Sequence, residues 1–368
     1  MDIALLADRS DIHTIRWANG LADRGYGVDL ITMHSGGGPV SSKVSVHHLN
    51  WASPHGYYAN TWQLRRKLDQ IAPDIFHAHF ASGYGTLGRL GGTHPYILSV
   101  WGRDVYEFPY RTPLHRRILL KNLKAADHLC STSHVMAAQT RSLCKQTAPI
   151  SITPFGVDTK AFSPDGENRA EQLQLDVESP VIVGTVKKLN EKYGIDTLIR
   201  AFAQLQNRLR AENEQLAHSL RLMIVGDGPL RSELECLARS CGIESVTKFV
   251  GSVPHDEVPS YLRTLDVYVA VSRADSESFG VAVIEASSCG CPVVVSDAGG
   301  LPEVVKKDET GVVVPREDPE VTSEAIEQLV CDSQLRTSMG KAGRERVISR
   351  YEWSSCLDRM EMVYENII

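Results

Sequence analysis

The sequence lacks the features that mark membrane-spanning, secreted and metal-binding proteins. No apolar run approaches the roughly 18 residues that a membrane-spanning helix needs. No signal peptide is apparent, and no two of the eight cysteines have the CxxC spacing of a redox or zinc motif. We therefore expect a reducing, cytoplasmic compartment. The cysteines are at positions 130, 144, 236, 241, 289, 291, 331 and 356.

An excess of basic charge is also missing. The formal net charge is −6, from 39 Lys and Arg against 45 Asp and Glu, so no positive field favours a nucleic-acid partner. The 368 residues are 42% hydrophobic and 23% charged, which is typical of soluble globular proteins. This length predicts about two domains.

Short apolar runs alternate with helical patterns through most of the chain. In the first half the predicted strands are Ile3–Leu6, Val28–Thr32, Val44–His47, Ile75–His79, Tyr96–Val100 and His128–Cys130. In the second half they are Val181–Val186, Arg221–Val225, Thr247–Val250, Val267–Val271, Pro292–Val295 and Gly311–Val314. Because parallel strands need crossover connections, the alternation predicts two α/β domains, each a doubly wound, Rossmann-like parallel sheet.

A polar segment between residues 153 and 179, punctuated by proline and glycine, separates the two series. We place the first domain at residues 1–155 and the second at 156–352. The terminal stretch, residues 353–368, is an amphipathic helix that could pack back on the first domain. Open α/β sheets bind ligands outside the carboxyl ends of their strands, so two facing domains would bind ligands in the cleft between them.

Residues 275–285 read DSESFGVAVIE and follow the apolar run Val267–Val271. Their two carboxylates, Glu277 and Glu285, flank a predicted strand-to-helix turn and can bind two groups of one polyhydroxylated ligand. The helix amino terminus between them presents unpaired N–H groups and partial positive charge to an anion. Sugar hydroxyls together with a diphosphate would use both features.

Three lysines lie after another predicted strand. Lys187 and Lys188 come directly after the run that contains Gly184, and Lys192 precedes Gly194 at the start of a helix. Lysines beside the carboxyl end of a strand can neutralise a diphosphate and its developing leaving-group charge. A solvated lysine-rich loop is the alternative, and the nearby glutamate pair favours the phosphate site.

Two glycine-rich turns follow further strands. They are Gly226-Asp227-Gly228-Pro229 and, at residues 297–303, DAGGLPE. Such turns either let a ligand approach the backbone or are plain turns. Neither is the GxGxxG fingerprint, which weighs against a dehydrogenase.

The chain carries, in this order, the segments GTVKKLNEKYGID, IVGDGP, FVG, ESFGVAVIEASSCGCPVV and AGGLPEVV. This order resembles the second domain of the GT-B glycosyltransferases, and more narrowly the retaining, glycogen-synthase-like and mannosyltransferase-like enzymes of glycosyltransferase family 4. The resemblance covers residues 150–368 well and the first half more loosely. It implies a GT-B fold and transfer of a sugar, with retention, from a UDP- or GDP-sugar to a glycan or lipid-linked acceptor.

The resemblance also implies roles for the acidic motif. Glu285 matches the glutamate that holds the ribose hydroxyls of the sugar nucleotide, and Glu277 matches the one near the donor sugar and its leaving group. Backbone N–H groups at Phe279 and Gly280, beside Ser278, would face the transferred sugar or the diphosphate.

The resemblance also implies that Lys187 and Lys192 hold the diphosphate. The family usually has arginine at the first position, and Lys188 is a rival for that role; lysine keeps the charge but loses the bidentate fork. Gly184 and Gly228 complete the predicted nucleotide-sugar-binding set. The backbone near Val250 and Gly251 would meet the base.

The first half of such enzymes recognises the acceptor. His13 could contact an acceptor hydroxyl or be a surface residue at a helix start. His77 and His79 alternate on a strand, a spacing that suggests a metal site, but no third ligand is evident. We interpret His79, at the end of the strand, as an acceptor-side residue. Arg103 and Asp104 are further candidates.

Trp101, just before Arg103, stands where many relatives have a histidine near the donor sugar. That histidine role therefore cannot be transferred to this chain.

Residues 111–124 combine five basic side chains with leucine and isoleucine, and no acidic residue lies between Glu107 and Asp127. A basic amphipathic helix can lie on an anionic membrane surface, here the inner face. The alternative is a core-packed helix with a solvated basic face. The basic residues are Arg111, Arg116, Arg117, Lys121 and Lys124.

The resemblance implies no cofactor besides the nucleotide-sugar co-substrate, and it predicts no metal because lysines and helix N–H groups would compensate the charge. Cell-surface polysaccharide synthesis is the process that it suggests. The alternatives are a sugar-nucleotide epimerase of the same two-domain architecture and a non-catalytic sugar-nucleotide-binding protein.

Overall fold

A computed structural model describes residues 1–145, 147–170, 177 and 179–368. Its contacts divide the chain into two compact units. Unit 1 comprises Met1–Phe155 together with Ser354–Ile368, and unit 2 comprises Gly156–Trp353. Residues 171–176 and 178 of the predicted linker lie outside the described residues.

Across its described residues, unit 1 is built on a seven-stranded parallel sheet in the order β3-β2-β1-β4-β5-β6-β7. Its strands are β1 (Asp2–Leu6), β2 (Gly27–Thr32), β3 (Val44–His48), β4 (Ile75–His79), β5 (Tyr96–Val100), β6 (His128–Ser131) and β7 (Ile150–Ile152). The central strands β4 and β5 are buried along their whole length, as expected of a sheet that is covered on both faces.

The helices of unit 1 connect these strands. They are α1 (Ile12–Asp23), α2 (Gly56–Ala59), α3 (Thr61–Ile71), α4 (Gly83–Gly91), α5 (Arg103–Tyr106), α6 (Phe108–Arg111), α7 (Pro113–Ala125) and α8 (His134–Leu143). The last helix of the chain is Trp353–Glu365, and its buried Tyr364 donates to or accepts from His77 of β4 at 2.9 Å.

Unit 2 repeats the architecture with a six-stranded parallel sheet among its described residues, in the order β10-β9-β8-β11-β12-β13. The strands are β8 (Val181–Val186), β9 (Leu220–Val225), β10 (Thr247–Gly251), β11 (Val267–Ala270), β12 (Val293–Ser296) and β13 (Gly311–Val314). The helices are α9 (Ile195–Glu212), α10 (Glu214–Ser219), α11 (Arg231–Ser240), α12 (Val258–Leu262), α13 (Val281–Ser288), α14 (Leu301–Val304), α15 (Pro319–Cys331) and α16 (Ser333–Tyr351). The final helix of the chain, Trp353–Glu365, is α17 and belongs to unit 1 from Ser354 onward. Two 3₁₀ turns are Glu191–Tyr193 and Glu244–Val246.

Both sheets have the strand order of a Rossmann fold, in which the chain fills one half of the sheet and then returns to fill the other. The predicted α/β architecture is therefore confirmed, with strand ends within one residue of the predicted ones. The short edge strand β7 was not predicted, because its three half-buried residues are too few to form a pattern.

Candidate functional site

The candidate site of unit 2 lies where its strand order reverses. β8 and β11 are hydrogen-bonded neighbours in the middle of the sheet, although about eighty residues separate them in the chain. Lys187 follows β8 directly, and the loop that carries Glu277 joins β11 to α13. Side chains after these two strands therefore meet at one edge of the sheet, the position at which open α/β sheets bind ligands.

Two lysines and a glutamate form an ionic cluster there. The Lys187 ammonium donates to Glu277 Oε1 at 2.9 Å, and Lys192 Nζ lies 3.5 Å from Glu277 Oε2. Lys192 also donates to the Ser276 carbonyl oxygen at 2.8 Å. Both ammonium groups lie over the ring of Tyr193, at 4.7 and 5.4 Å from its centroid. Each lysine is thus held by an anion on one side and by an aromatic face on the other.

The cluster favours the charged forms of Lys187 and Glu277 in spite of burial. Burial disfavours the charged form of Lys187, but Glu277 together with Tyr268 and Tyr193 outweighs it and raises the pKa of Lys187. Burial also opposes ionisation of Glu277, and the two lysines outweigh it and lower the pKa of that carboxyl. The cluster carries one net positive charge and can attract an anion.

The loop that carries Glu277 is held by two glycines of the next loop. A Cβ added at Gly299 would lie 2.3 Å from the Glu277 carbonyl oxygen, and one at Gly300 would lie 2.2 Å from that of Ser278. The Gly300 N–H donates to the Glu277 carbonyl at 2.9 Å. The glycine pair of the AGGLP segment thus lets one loop pack directly on the other. The group that packs against these glycines is the protein backbone of residues 277–278 rather than a ligand.

Gly280 is the residue before α13 and has a left-handed backbone with φ +96°. It provides no side chain to cap the helix, so the first N–H groups of α13 have no side-chain acceptor from this position. The Phe279 ring is buried against Tyr351 at 5.6 Å, which leaves the backbone of 279–280 to form the turn. The amino end of α13 can therefore receive an anion.

Glu285 lies within α13, eight residues after Glu277, and is 6% exposed. His255 Nε2 lies 3.3 Å from its Oε1 oxygen, and the His255 ring has an edge contact with Phe162 at 5.6 Å. His255 was not predicted as a site residue, and its position four residues after Gly251 is the only sequence signal for it. The Glu285 carboxylate is thus buried next to the half-exposed imidazole of His255. This pair is separate from the cluster of Glu277 with the two lysines.

Of the other predicted residues of unit 2, Gly184 lies within β8, Lys188 follows β8, and Gly228 follows β9. Lys188 is exposed, whereas its neighbour Lys187 points to Glu277, so the geometry favours Lys187 of the two rivals. A Cβ at Gly184 would meet the Met223 carbonyl oxygen at 2.3 Å, and one at Gly228 the Leu189 carbonyl oxygen at 2.3 Å. Both glycines therefore permit close packing of protein backbone.

Val250 and Gly251 end β10, the edge strand of the unit 2 sheet. The Gly251 carbonyl oxygen accepts from the Gly226 N–H at 2.8 Å, which joins this strand end to the glycine-rich turn after β9.

In unit 1 the predicted acceptor-side histidines join an aromatic cluster. The His13 ring stacks on Phe155 at 3.9 Å, and His79 lies 4.6 Å from the Trp101 ring. Trp101 also has edge contacts with Phe155 at 5.1 Å and Phe80 at 4.8 Å. The structure therefore brings His13 and His79 together around Trp101, at the carboxyl ends of β1, β4 and β5.

His79 is 1% exposed, and its Nδ1 atom has no hydrogen-bond partner among the described residues. Burial lowers the pKa of His79 to about 3, so the imidazole is neutral near pH 7. No group of three or more His, Cys, Asp or Glu side chains within the described residues could hold a metal ion.

Arg103 and Asp104 differ in what they can offer a ligand. Asp104 is buried and accepts from the backbone N–H groups of Ala81, Trp101 and Gly102, at 2.8 to 3.2 Å. Burial raises the pKa of Asp104 in spite of these donors. Its oxygens accept from these backbone donors, and its acceptor-side role stays a prediction. Arg103 is exposed and pairs with Glu107 at 2.8 Å.

Most of the predicted basic segment forms α7, whereas Arg111 is the last residue of α6. Leu119, Asn122 and Leu123 are its buried face, while the basic residues after His115 are exposed. None of the described helices is both long and apolar enough to cross a membrane.

Comparison with known proteins finds relatives for both halves of the chain. Residues 167–346 match the family glycosyl transferases group 1, and residues 2–133 match glycosyl transferase 4-like. GDP-mannose-dependent alpha-(1-6)-phosphatidylinositol monomannoside mannosyltransferase of Mycobacterium tuberculosis is 30% identical over 275 residues, which are 73% of this chain and 68% of that protein.

Solved structures match the whole fold. Sucrose-phosphate synthase from Thermosynechococcus elongatus has a TM-score of 0.82 at 22% identity and covers 100% of this chain and 98% of its own. Anabaena HepE in complex with UDP has a TM-score of 0.82 at 17% identity and covers 100% of both chains. At these identities the likeness establishes the fold alone. Together with the sequence matches, it shows that the chain belongs to the glycosyl transferases group 1, glycosyltransferase family 4, and has the GT-B fold.

Proposed function

We propose that the protein transfers a sugar, with retention at the anomeric carbon, from a UDP- or GDP-sugar to a glycan or lipid-linked acceptor in cell-surface polysaccharide synthesis. The observation that carries the proposal is the cluster of Lys187, Lys192 and Glu277 at the switch point of unit 2. In the proposed reaction, these two ammonium groups stabilise the negative charge that the diphosphate leaving group gains.

The reaction forms a bond from an acceptor hydroxyl oxygen to the anomeric carbon and breaks the bond from that carbon to the diphosphate oxygen. The electron pair of the broken bond leaves with the diphosphate, which also takes up the proton of the acceptor hydroxyl. Lys187, Lys192 and the amino end of α13 stabilise the departing diphosphate, and Glu277 keeps the lysines in place. We infer that this charge compensation replaces a metal ion, so EDTA should leave turnover unchanged.

The nucleoside end of the donor belongs at Glu285, whose carboxylate can accept from two ribose hydroxyls. The ligands of relatives support this class of donor. The mycobacterial relative is named as GDP-mannose-dependent, and the HepE structure holds UDP. We propose that the same carboxyl edge of unit 2 holds the nucleotide of this chain.

A thermal-shift series with UDP-, GDP- and ADP-sugars tests donor binding, because a ligand that binds only the folded state raises the melting temperature. Glu285→Gln should abolish the shift.

NMR of products formed from an α-linked donor and a cell-envelope glycan fraction then tests transfer, and an α-linked product is expected. Conversion of the donor sugar without acceptor would indicate an epimerase, and binding with no turnover would indicate a sensor.

We also propose that α7 brings the protein to the inner face of an anionic membrane. Its outward face carries Arg116 and Arg117, and next to it Tyr110 and Leu114 are 59% and 65% exposed. Basic residues near such a surface contribute about 1 kcal/mol each, and aromatic residues favour the interface.

Sedimentation with phosphatidylglycerol vesicles at low salt tests this contact. The double substitution of Arg116 and Arg117 by glutamate should release the protein. The same change at the exposed Arg141 and Arg210, which alters net charge equally, should not. Failure of the wild-type protein to sediment would reject membrane contact.

A further inference from the structure

Unit 1 contains a cavity of about 480 Å³ beside the carboxyl ends of β1, β4 and β5. Asp8 and Phe80 line it from the loops that follow β1 and β4, and residues of α5, α6 and α7 line it as well. A volume of this size can hold a disaccharide or a sugar with a charged substituent. The cavity is therefore large enough for the part of an acceptor that receives the sugar.

One wall of the cavity is aromatic and rigid. The Tyr57 ring lies against Gly83, where an added Cβ would be 2.3 Å from its ring carbon, and it has an edge contact with Tyr84 at 5.6 Å. The Tyr84 hydroxyl is fixed in turn by Thr32 at 3.2 Å and the Met33 N–H at 3.1 Å. A flat ring held in this way can support the C–H face of a sugar ring at little cost in conformational entropy.

The acidic groups of the lining are occupied. Asp8 accepts from the Ser10 N–H and hydroxyl at 2.8 and 2.6 Å, and Asp104 accepts from backbone N–H groups of its own loop. The charge of Arg103 is balanced by Glu107. Asp8 and Asp104 are therefore engaged by their own loops, and Glu107 pairs with Arg103.

Arg111 is the cation that remains. It has no acidic partner among the described residues, and its guanidinium lies over the Phe108 ring at 6.0 Å. The same ring contacts the His115 imidazole edge-on at 4.8 Å, so both nitrogen-bearing side chains flank one aromatic residue of the lining. A guanidinium presents a planar fork of donors that matches a phosphate or a carboxylate.

We propose that this cavity receives an acceptor saccharide that carries a phosphate or carboxylate group. Arg111 binds the anionic group, and Tyr57 supports the sugar ring. The inference rests on the proposed function, because only a transferase needs an acceptor site, and it adds the chemical class of that acceptor.

Ligand-observed NMR with glucose 6-phosphate, glucuronate and glucose tests the inference on the full chain. The two anionic sugars should bind at least tenfold more tightly than glucose. Arg111→Gln should remove this preference, and Tyr57→Leu should weaken all three sugars. Arg141→Gln is the matched control, since Arg141 is exposed in the same unit and outside the cavity lining, and it should bind as the wild type does.

A second arm separates a free sugar phosphate from a lipid headgroup. Binding to nanodiscs that contain phosphatidylinositol is compared with binding to nanodiscs of phosphatidylcholine. If the protein binds phosphatidylinositol but not the soluble sugars, and Arg111→Gln abolishes that binding, the anionic group belongs to a lipid-linked acceptor. The inference is overturned if glucose binds as well as the anionic sugars, if none of these probes binds, or if Arg111→Gln keeps the preference. Thermal shifts with UDP- and GDP-sugars on the same samples show separately whether the proposed function itself has failed.

Discussion

At the scale of single residues, Lys187 and Glu277 depend on each other. Both side chains are about one-tenth exposed, and burial disfavours the charged form of each. Lys192 lies on the other carboxylate oxygen, so Glu277 balances only one of two positive charges. A diphosphate would therefore find ammonium groups that are already oriented, and it would compete with Glu277 for them.

Replacing Lys187 by methionine removes one of these groups and keeps most of the side-chain volume. We expect turnover to fall on the order of 10²-fold or more, as for the loss of one transition-state donor. Steady-state kinetics with the donor found by thermal shift measures the effect.

Lys341→Met, at an exposed lysine of α16, is the control for the same chemical change and should remain fully active. If instead Lys188→Met were inactive and Lys187→Met active, the diphosphate role would move to Lys188.

His79 predicts a pH dependence of stability. The pKa of its folded form is about 3, below the ordinary value of 6.5, so between these values the unfolded chain binds a proton that the folded chain does not. The stability from neutral His79 is fully present above pH 6.5 and declines as the pH falls. At pH 5 the loss is about 2 kcal/mol.

Urea unfolding at pH 7.5 and 5.0, followed by tryptophan fluorescence, measures this difference in unit 1. Four of the five tryptophans belong to that unit: Trp17, Trp51, Trp62 and Trp101. His79→Gln cannot titrate and should lose about 2 kcal/mol less than the wild type between the two pH values. Equal losses would show that His79 is not kept neutral by the fold.

At the scale of elements, the sequence predicted the strands to within one residue because buried parallel strands are short apolar runs between helical patterns. It could not predict which loops touch. Gly299 and Gly300 were open to a ligand or turn interpretation, and the structure shows that they pack on the backbone of residues 277–278. That contact joins loops twenty residues apart, which no local pattern records.

Gly300→Ala tests this loop contact. The φ of Gly300 is −86°, which alanine adopts freely, so any effect comes from the Cβ that would lie 2.2 Å from the Ser278 carbonyl oxygen. The loop of Glu277 must move, and a shift of about 1 Å can cost about 10²-fold in rate. Turnover and donor affinity should both fall, while the circular dichroism spectrum stays near that of the wild type.

Gly38→Ala is the matched control, because its added Cβ would meet only Ile15 Cδ1 at 3.8 Å. Unchanged donor binding in Gly300→Ala would mean that the loop position does not matter for the donor.

At the scale of the whole molecule, both Rossmann-like sheets could be read from the alternation of apolar and helical patterns. The meeting of Lys187, Lys192 and Glu277 also follows from sequence, since each lies after a strand whose carboxyl end reaches the same edge. The contacts of His255 and Asp104 did not follow from it. They depend on how separate loops and strand ends pack, and a single sequence carries no record of that packing.

Hydrogen exchange across the whole chain tests whether the two units have separate ligands. The nucleoside diphosphate of the donor should slow exchange in residues 184–194 and 275–285 of unit 2, because it orders the loops after β8 and β11. Glucose 6-phosphate should instead slow exchange at residues 103–115 of unit 1, around the cavity. Glu285→Gln should lose the first pattern and keep the second. Protection of unit 1 alone by the nucleotide would contradict the assignment of the donor to unit 2, since ribose and diphosphate groups would then be bound without the glutamates and lysines that are proposed to hold them.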